Sequence, residues 1–209
     1  QFGIHGYPMN RPEQPVVRMP WQGAMAFCRW LSETAGGEFS LPTEAQWEYA
    51  CRAGRATPFF YGDLETDFSA FANVADAKMT EFASNPYTVD SPLKNPPKYD
   101  DWIPKEPRFN DGSLLSVAPG TYQPNPWDLH DLHGNVAEWT RTTYQPYPYD
   151  PLDGRDDAAA AGRKVVRGGS WRDRPKRCTS SFRLSFPPYQ RVYNVGFRVV
   201  CKQEPEIVA

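Results

Sequence analysis

Residues 131–140 read DLHGNVAEWT, and the architecture turns on them. VAEWT (136–140) has the branched and aromatic content of a short strand. Working outward, KVVRGGSW (164–171) and NVGFRVVC (194–201) read the same way. Upstream the apolar period changes. Ala24, Phe27, Cys28 and Leu31 recur at helical spacing, which predicts a helix over Gln22 to Thr34 stopped by Gly36-Gly37. A second helix is expected after Leu41-Pro42. Thr43 is a good N-cap, and Gln46 three residues on completes a capping box. Trp47, Ala50, Cys51 and Gly54 then share one face, so each helix carries a cysteine on its apolar side.

The rest of the chain has an unusual composition. Its 209 residues include 22 Pro, 15 Gly and 30 aromatics, seven of them Trp. Proline removes backbone donors and breaks helices and central strands, so little regular structure is expected. The aromatics exclude a disordered chain. Residues 56–126 show no periodicity and contain ten prolines. A loop of that length is expected to be clamped, and Asp100, Asp101 and Asp111 suggest cations as the clamp. Residues 1–20 read as an extended N-terminal segment, 21–201 as one domain and 202–209 as a frayed tail, with 150–163 an exposed loop. The formal net charge of −2 argues against a nucleic-acid partner. No apolar run is long enough for a transmembrane segment. The start at Gln1 reads as a processed piece whose targeting signal has been removed.

The four cysteines, Cys28, Cys51, Cys178 and Cys201, form no C-x-x-C pair, which argues against structural zinc. An even count in a loop-rich chain fits two disulfides joining the early pair to the late pair. The alternative is four buried free thiols in a cytosolic protein. Disulfides would place the protein in a periplasmic or extracellular setting.

LPTEAQWEYACRAG (41–54), DLHGNVAEWT, VVRGGSW (165–171) and NVGFRVV (194–200) occur in this order. Together they closely resemble the formylglycine-generating enzyme, or sulfatase-modifying factor, family, from about Pro15 to Cys201. The resemblance implies an α+β fold: an irregular, loop-rich variant of the C-type-lectin fold with two helices and short antiparallel strands. It also implies two structural calcium sites, an oxygen-rich chemistry suited to loops. One matches Asp131 and Glu138 through carboxylates, and Gly134 and Val136 through carbonyls. The other, a weaker match, falls on Asn73, Val74, Asp111 and Ser113. The competing reading is that Asp131 and Glu138 cap loops by accepting backbone N–H bonds. His130 and His133 flank Asp131 with H-x-x-H spacing, and packing is the better reading than a transition-metal site. His5 lies far off in the leading segment. The family's disulfides imply the pairs Cys51–Cys178 and Cys28–Cys201.

The family enzyme oxidises a substrate cysteine to an aldehyde, using two cysteines five residues apart that bind Cu(I). Counted without gaps, Asp173 stands where the first would fall and Cys178, five residues on, where the second would; counted back from the Gly-Phe-Arg motif, Cys178 moves nearer the structural, disulfide-forming position. Cys178 is thus the one candidate catalytic residue. A carboxylate is a poor substitute for a thiolate toward Cu(I), so copper is not expected. Only about 20 residues precede the first helix, where family domains carry further strands. Either that part was cut off, a partner chain supplies it, or the fold tolerates its loss. The expectation is therefore a domain without formylglycine-generating activity, an extracytoplasmic binding domain or accessory subunit with a protein or peptide partner. The alternatives are an active copper oxidase that makes formylglycine, or another family oxidoreductase of the non-haem iron type. RLSFPPYQR (183–191) and TYQPYPYD (143–150) resemble ergothioneine-pathway sulfoxide synthases, whose iron site needs histidines on an added domain. Arg172, Arg174, Lys176, Arg177 and Arg183 crowd one segment. They could grip an acidic partner, but the favoured reading is a solvated loop neutralised by the acidic stretch 153–157.

Overall fold

Helix α1 (Trp21–Ala35) begins where the proline-rich lead ends, with Pro20 in extended backbone at its N-cap. Gly36 at φ 69° ends it, a left-handed value that glycine takes without a Cβ clash. The structure is a computed structural model describing residue 9, residues 11–79 and residues 106–202. His5, Asp100 and Asp101 lie outside the described residues. The buried stripe of α1 is Trp21, Ala24 and Cys28. Phe27 was expected on it but is 41% exposed. Its ring sits on the rim of the stripe, between Trp30 and Phe197.

A short strand, β1 (Glu38–Ser40), leads to helix α2 (Glu44–Arg52). The capping box forms: Thr43 Oγ1 accepts from Gln46 N at 3.0 Å, and Gln46 Oε1 accepts from Thr43 N at 2.9 Å. The helix buries Glu44, Trp47 and Cys51. Gly54 does not share that face, because Ala53 (φ 44°) and Gly54 (φ 81°) already turn the chain out of the helix.

Four strands make the main sheet, in the order β4-β3-β2-β5. Central β2 (Ala137–Thr143) pairs antiparallel with β3 (Lys164–Arg167), and β3 pairs antiparallel with β4 (Leu184–Phe186). β5 (Val195–Phe197) runs parallel to β2, which makes this otherwise antiparallel sheet mixed. β6 (Val200–Lys202) leaves this sheet and pairs antiparallel with β1. The single strand expected over 194–201 is thus two, divided where Arg198 bonds Glu138 and the His130 carbonyl. Lys202 belongs to β6 rather than to a tail, and 203–209 lie outside the described residues.

The main core joins Trp21, Ala24, Cys28 and Leu41 to Ala137, Trp139, Val166 and Val195. Indole N–H groups fasten the segment around α1 to β2: Trp21 donates to Thr140 O and Trp139 to Met19 O. Between α2 and β2 the described chain has no strand or α-helix, only a 3-10 turn at Ala77–Met79. Gly134 brings this loop region against the strand that follows it. At φ 79° its backbone passes so near Asn73 O that a Cβ would lie 2.1 Å from it. Within the 150–163 loop, Arg155 is buried and bonded to Asp153.

Candidate functional site

The loop 73–76 and the turn 111–113 form one oxygen-lined cluster. Val74 N donates to Asp111 Oδ2 at 2.8 Å, and Ser113 N to Asp111 Oδ1 at 2.7 Å. Asp111 N donates to Asp76 Oδ2. Tyr122 donates to the Ser113 hydroxyl at 2.7 Å and lies 3.3 Å from Asp111 Oδ1. Burial, and then the charge of Asp76, push the Asp111 carboxyl up to about 7. Burial also raises Asp76. Asn73 is fully buried, and its Nδ2 donates to Leu115 O at 2.9 Å. Its Oδ1 is buried with no partner among the described residues. An orphaned amide oxygen on the same loop as buried Asp76, next to Val74 that bonds half-buried Asp111, is a donor set that fits a hard cation such as calcium. The sequence pointed to Asn73, Val74, Asp111 and Ser113, and it missed Asp76 and Tyr122. Asp76 stands three residues after Asn73, a signal that was available.

The 131–138 segment is built differently. Asp131 Oδ2 accepts from Gly120 N at 2.7 Å, and burial raises the Asp131 carboxyl. Both Glu138 oxygens are taken: Arg198 Nη2 donates to Oε1 at 2.5 Å, and Arg198 Nε and Trp47 Nε1 each donate to Oε2 at 2.6 Å. The guanidinium thus supplies the positive charge here. Gly134 N donates to Gly168 O at 2.9 Å, which ties this turn to the end of β3. The unpartnered Asn73 Oδ1 is what distinguishes the Asn73–Asp111 cluster from Asp131–Glu138 as a place for a cation. Sequence reading did not single out Arg198, although it lies within the NVGFRVV motif.

Beyond β3, Gly168-Gly169 turn the chain so that Ser170, Asp173 and Cys178 come together. Ser170 Oγ donates to Asp173 Oδ2 at 2.7 Å and accepts from Asn194 Nδ2 at 2.7 Å. Arg177 pairs with Asp173 at 3.5 Å. Cys178 is fully buried, close enough to Gly169 that a Cβ there would lie 2.5 Å from its sulfur. Burial, and then the Asp173 charge, hold the thiol well above its usual pKa. One buried cysteine beside a carboxylate engaged by Ser170 and Arg177 is not a pair of thiolates. The residues present therefore do not fit Cu(I).

The sulfatase-modifying factor enzyme 1-like domain matches residues 6–203. The chain belongs to this family. It is 27% identical over 209 residues to the formylglycine-generating enzyme of Streptomyces coelicolor, covering 96% of this chain and 56% of that protein. It is 28% identical over 192 residues to inactive C-alpha-formylglycine-generating enzyme 2 of Mus musculus, covering 89% of this chain and 48% of that protein. The chain thus spans about half the length of the curated relatives it matches. The solved structure of PvdO from Pseudomonas aeruginosa superposes with a TM-score of 0.67 at 25% identity, covering 96% of this chain and 66% of that one. The loop-rich α+β fold is the family's.

Within this family fold the four cysteines are free thiols in the structure. Cys51 and Cys178 both border His133: Cys51 Sγ lies 3.5 Å from Nε2, and Nδ1 lies 2.7 Å from Cys178 O. Burial pushes the Cys51 thiol up to about 12. Cys28 is buried under α1, and Cys201 is exposed on β6 opposite Phe39. Phe39 N in turn donates to Ser32 Oγ, one helical turn after Cys28.

The two histidines do not converge. His133 is buried between the Cys178 carbonyl and the Phe60 N–H, stacked on the Phe60 ring, and burial lowers its pKa to about 4. His130 instead bonds Tyr122 O at 2.8 Å. The acidic stretch 153–157 does not neutralise the basic segment. Asp153 holds Arg155, and Asp156 accepts from Thr142 and Tyr149. Arg183 pairs instead with Glu44, and Arg177 with Asp173. No described helix is long and apolar enough to cross a membrane.

Proposed function

We propose that this chain is a sulfatase-modifying-factor domain that does not generate formylglycine and acts as an extracytoplasmic binding domain or accessory subunit. One observation carries the reading: Asp173, bonded to Ser170 and Arg177, stands where a thiolate is needed, which leaves Cys178 as a lone buried sulfur. Similarity to an inactive relative supports it. Calcium is assigned to Asn73, Val74, Asp111 and Ser113, with Asp76 alongside, because Asn73 Oδ1 is a buried acceptor without a partner. Disulfides Cys51–Cys178 and Cys28–Cys201 belong to the same reading. Their support is that Cys51 and Cys178 both border His133, and that Cys201 lies opposite Phe39, whose N–H bonds Ser32 one turn after Cys28. They place the protein in an oxidising compartment.

The activity test is incubation with Cu(I), oxygen and a Cys-x-Pro-x-Arg peptide, followed by mass spectrometry. The peptide is expected to leave unconverted, at the level of a protein-free control. Aldehyde formed in proportion to protein, and lost on Cys178→Ser, would restore the copper-oxidase reading.

A further inference from the structure

The end of α2, the loop 56–64 and the segment 176–183 border an open cavity of about 530 Å³, within the size range of small-ligand sites. Asp173 and Cys178 are not among its lining residues.

The walls have two characters. Arg52, Lys176 and Arg183 supply cationic side chains, and no carboxylate residue lines the cavity. Leu64, Pro58 and Phe182 supply apolar surface. Local pairing leaves positive charge over. Arg183 is matched by Glu44, which it holds through Nε at 2.7 Å and Nη2 at 2.8 Å. Its guanidinium is further fixed between the Tyr144 and Tyr147 rings. Arg155, also 4.0 Å from Glu44, has Asp153 of its own, whereas Glu48 alone serves two guanidiniums, Arg52 from one side and buried Arg167 from the other. Arg167 also donates to the carbonyls of Ser180 and Ser181 and so sits directly behind the cavity wall. One carboxylate between two arginines leaves a positive excess. Lys176 adds a second, because it is exposed and has no carboxylate partner among the described residues. The hydroxyl of Thr179 stands beside it on the rim.

We infer that this cavity binds an organic carboxylate carrying an apolar body, with the carboxylate held by Lys176 and Arg52 and the body against Leu64 and Phe182. The apolar wall separates such a ligand from a bare inorganic anion. Placement of the acid group between a free ammonium and an under-neutralised guanidinium makes binding dependent on charge and on salt.

The test is calorimetric titration of the full chain with 3-phenylpropionate, its neutral amide, and the capped dipeptide acetyl-Phe-Glu-amide. The acid is expected to bind at least about tenfold more tightly than the amide, a difference sensitive to ionic strength. Lys176→Gln, at an exposed position outside the core, should weaken the acid about fivefold or more, and Leu64→Ser should weaken acid and amide alike. A dipeptide that binds more tightly than the free acid identifies a peptide segment as the source, and the reverse identifies a small acid. Both outcomes support the site. The inference is overturned if neither carboxylate binds, if acid and amide bind equally, if Lys176→Gln changes nothing, or if inorganic phosphate displaces the acid at equal concentration.

Discussion

In the proposed reading, single residues carry the difference between the formylglycine-generating enzyme's chemistry and this chain's. Asp173 and Cys178 were readable as a broken dithiol only through the resemblance to the family enzyme. The sequence could not reveal that Ser170 and Arg177 occupy the carboxylate, because those partners depend on the turn at Gly168-Gly169. Glu138 was readable as a carboxylate near a turn but not as the partner of Arg198, sixty residues away. That pair gives a direct prediction. Glu138→Gln leaves the Arg198 charge poorly compensated in a confined site and removes an acceptor from Trp47. Destabilisation of about 3 kcal/mol is expected in chemical denaturation. A change below about 0.5 kcal/mol would mean that solvent screens the pair.

At the level of elements, local chemistry was legible where it acts over a few residues. The Thr43–Gln46 capping box sets the start of α2, and it forms as read. Thr43→Ala should therefore cost about 1 kcal/mol, measured by thermal or denaturant unfolding, with a longer frayed start to α2. An unchanged midpoint would show that tertiary packing alone fixes that helix end. Elements decided by distant partners were not legible. β1 and β4 are three residues each and carry no internal period. β1 exists because β6 pairs with it, and the split of 194–201 at Arg198 follows from an ion pair across the sheet. Phe27 shared the spacing of the buried face yet sits at its rim, since periodicity gives a face but not its width.

The whole molecule follows from its composition. Proline and aromatic excess predicted ordered loops, and several small clusters rather than one large core now hold them. Such a fold gains from a cation between loops. Saturating calcium, at roughly 100 times its Kd, would contribute about 2.7 kcal/mol. That corresponds to a rise in Tm of roughly 5–10 °C for a chain of this size. A chelator should reverse the gain, and Asp111→Asn should abolish it. A melting curve indifferent to calcium and chelator contradicts the Asn73–Asp111 assignment.

Loss of the copper site on an intact family fold is the claim on which the functional reading stands. It is tested most directly by titrating Cu(I) against the protein in competition with a chromophoric Cu(I) chelator. The chelator is expected to keep all the metal, and Cys178→Ser should give the same curve as the unaltered chain. One equivalent of copper withdrawn by the protein, with that capacity lost in Cys178→Ser, would contradict the account.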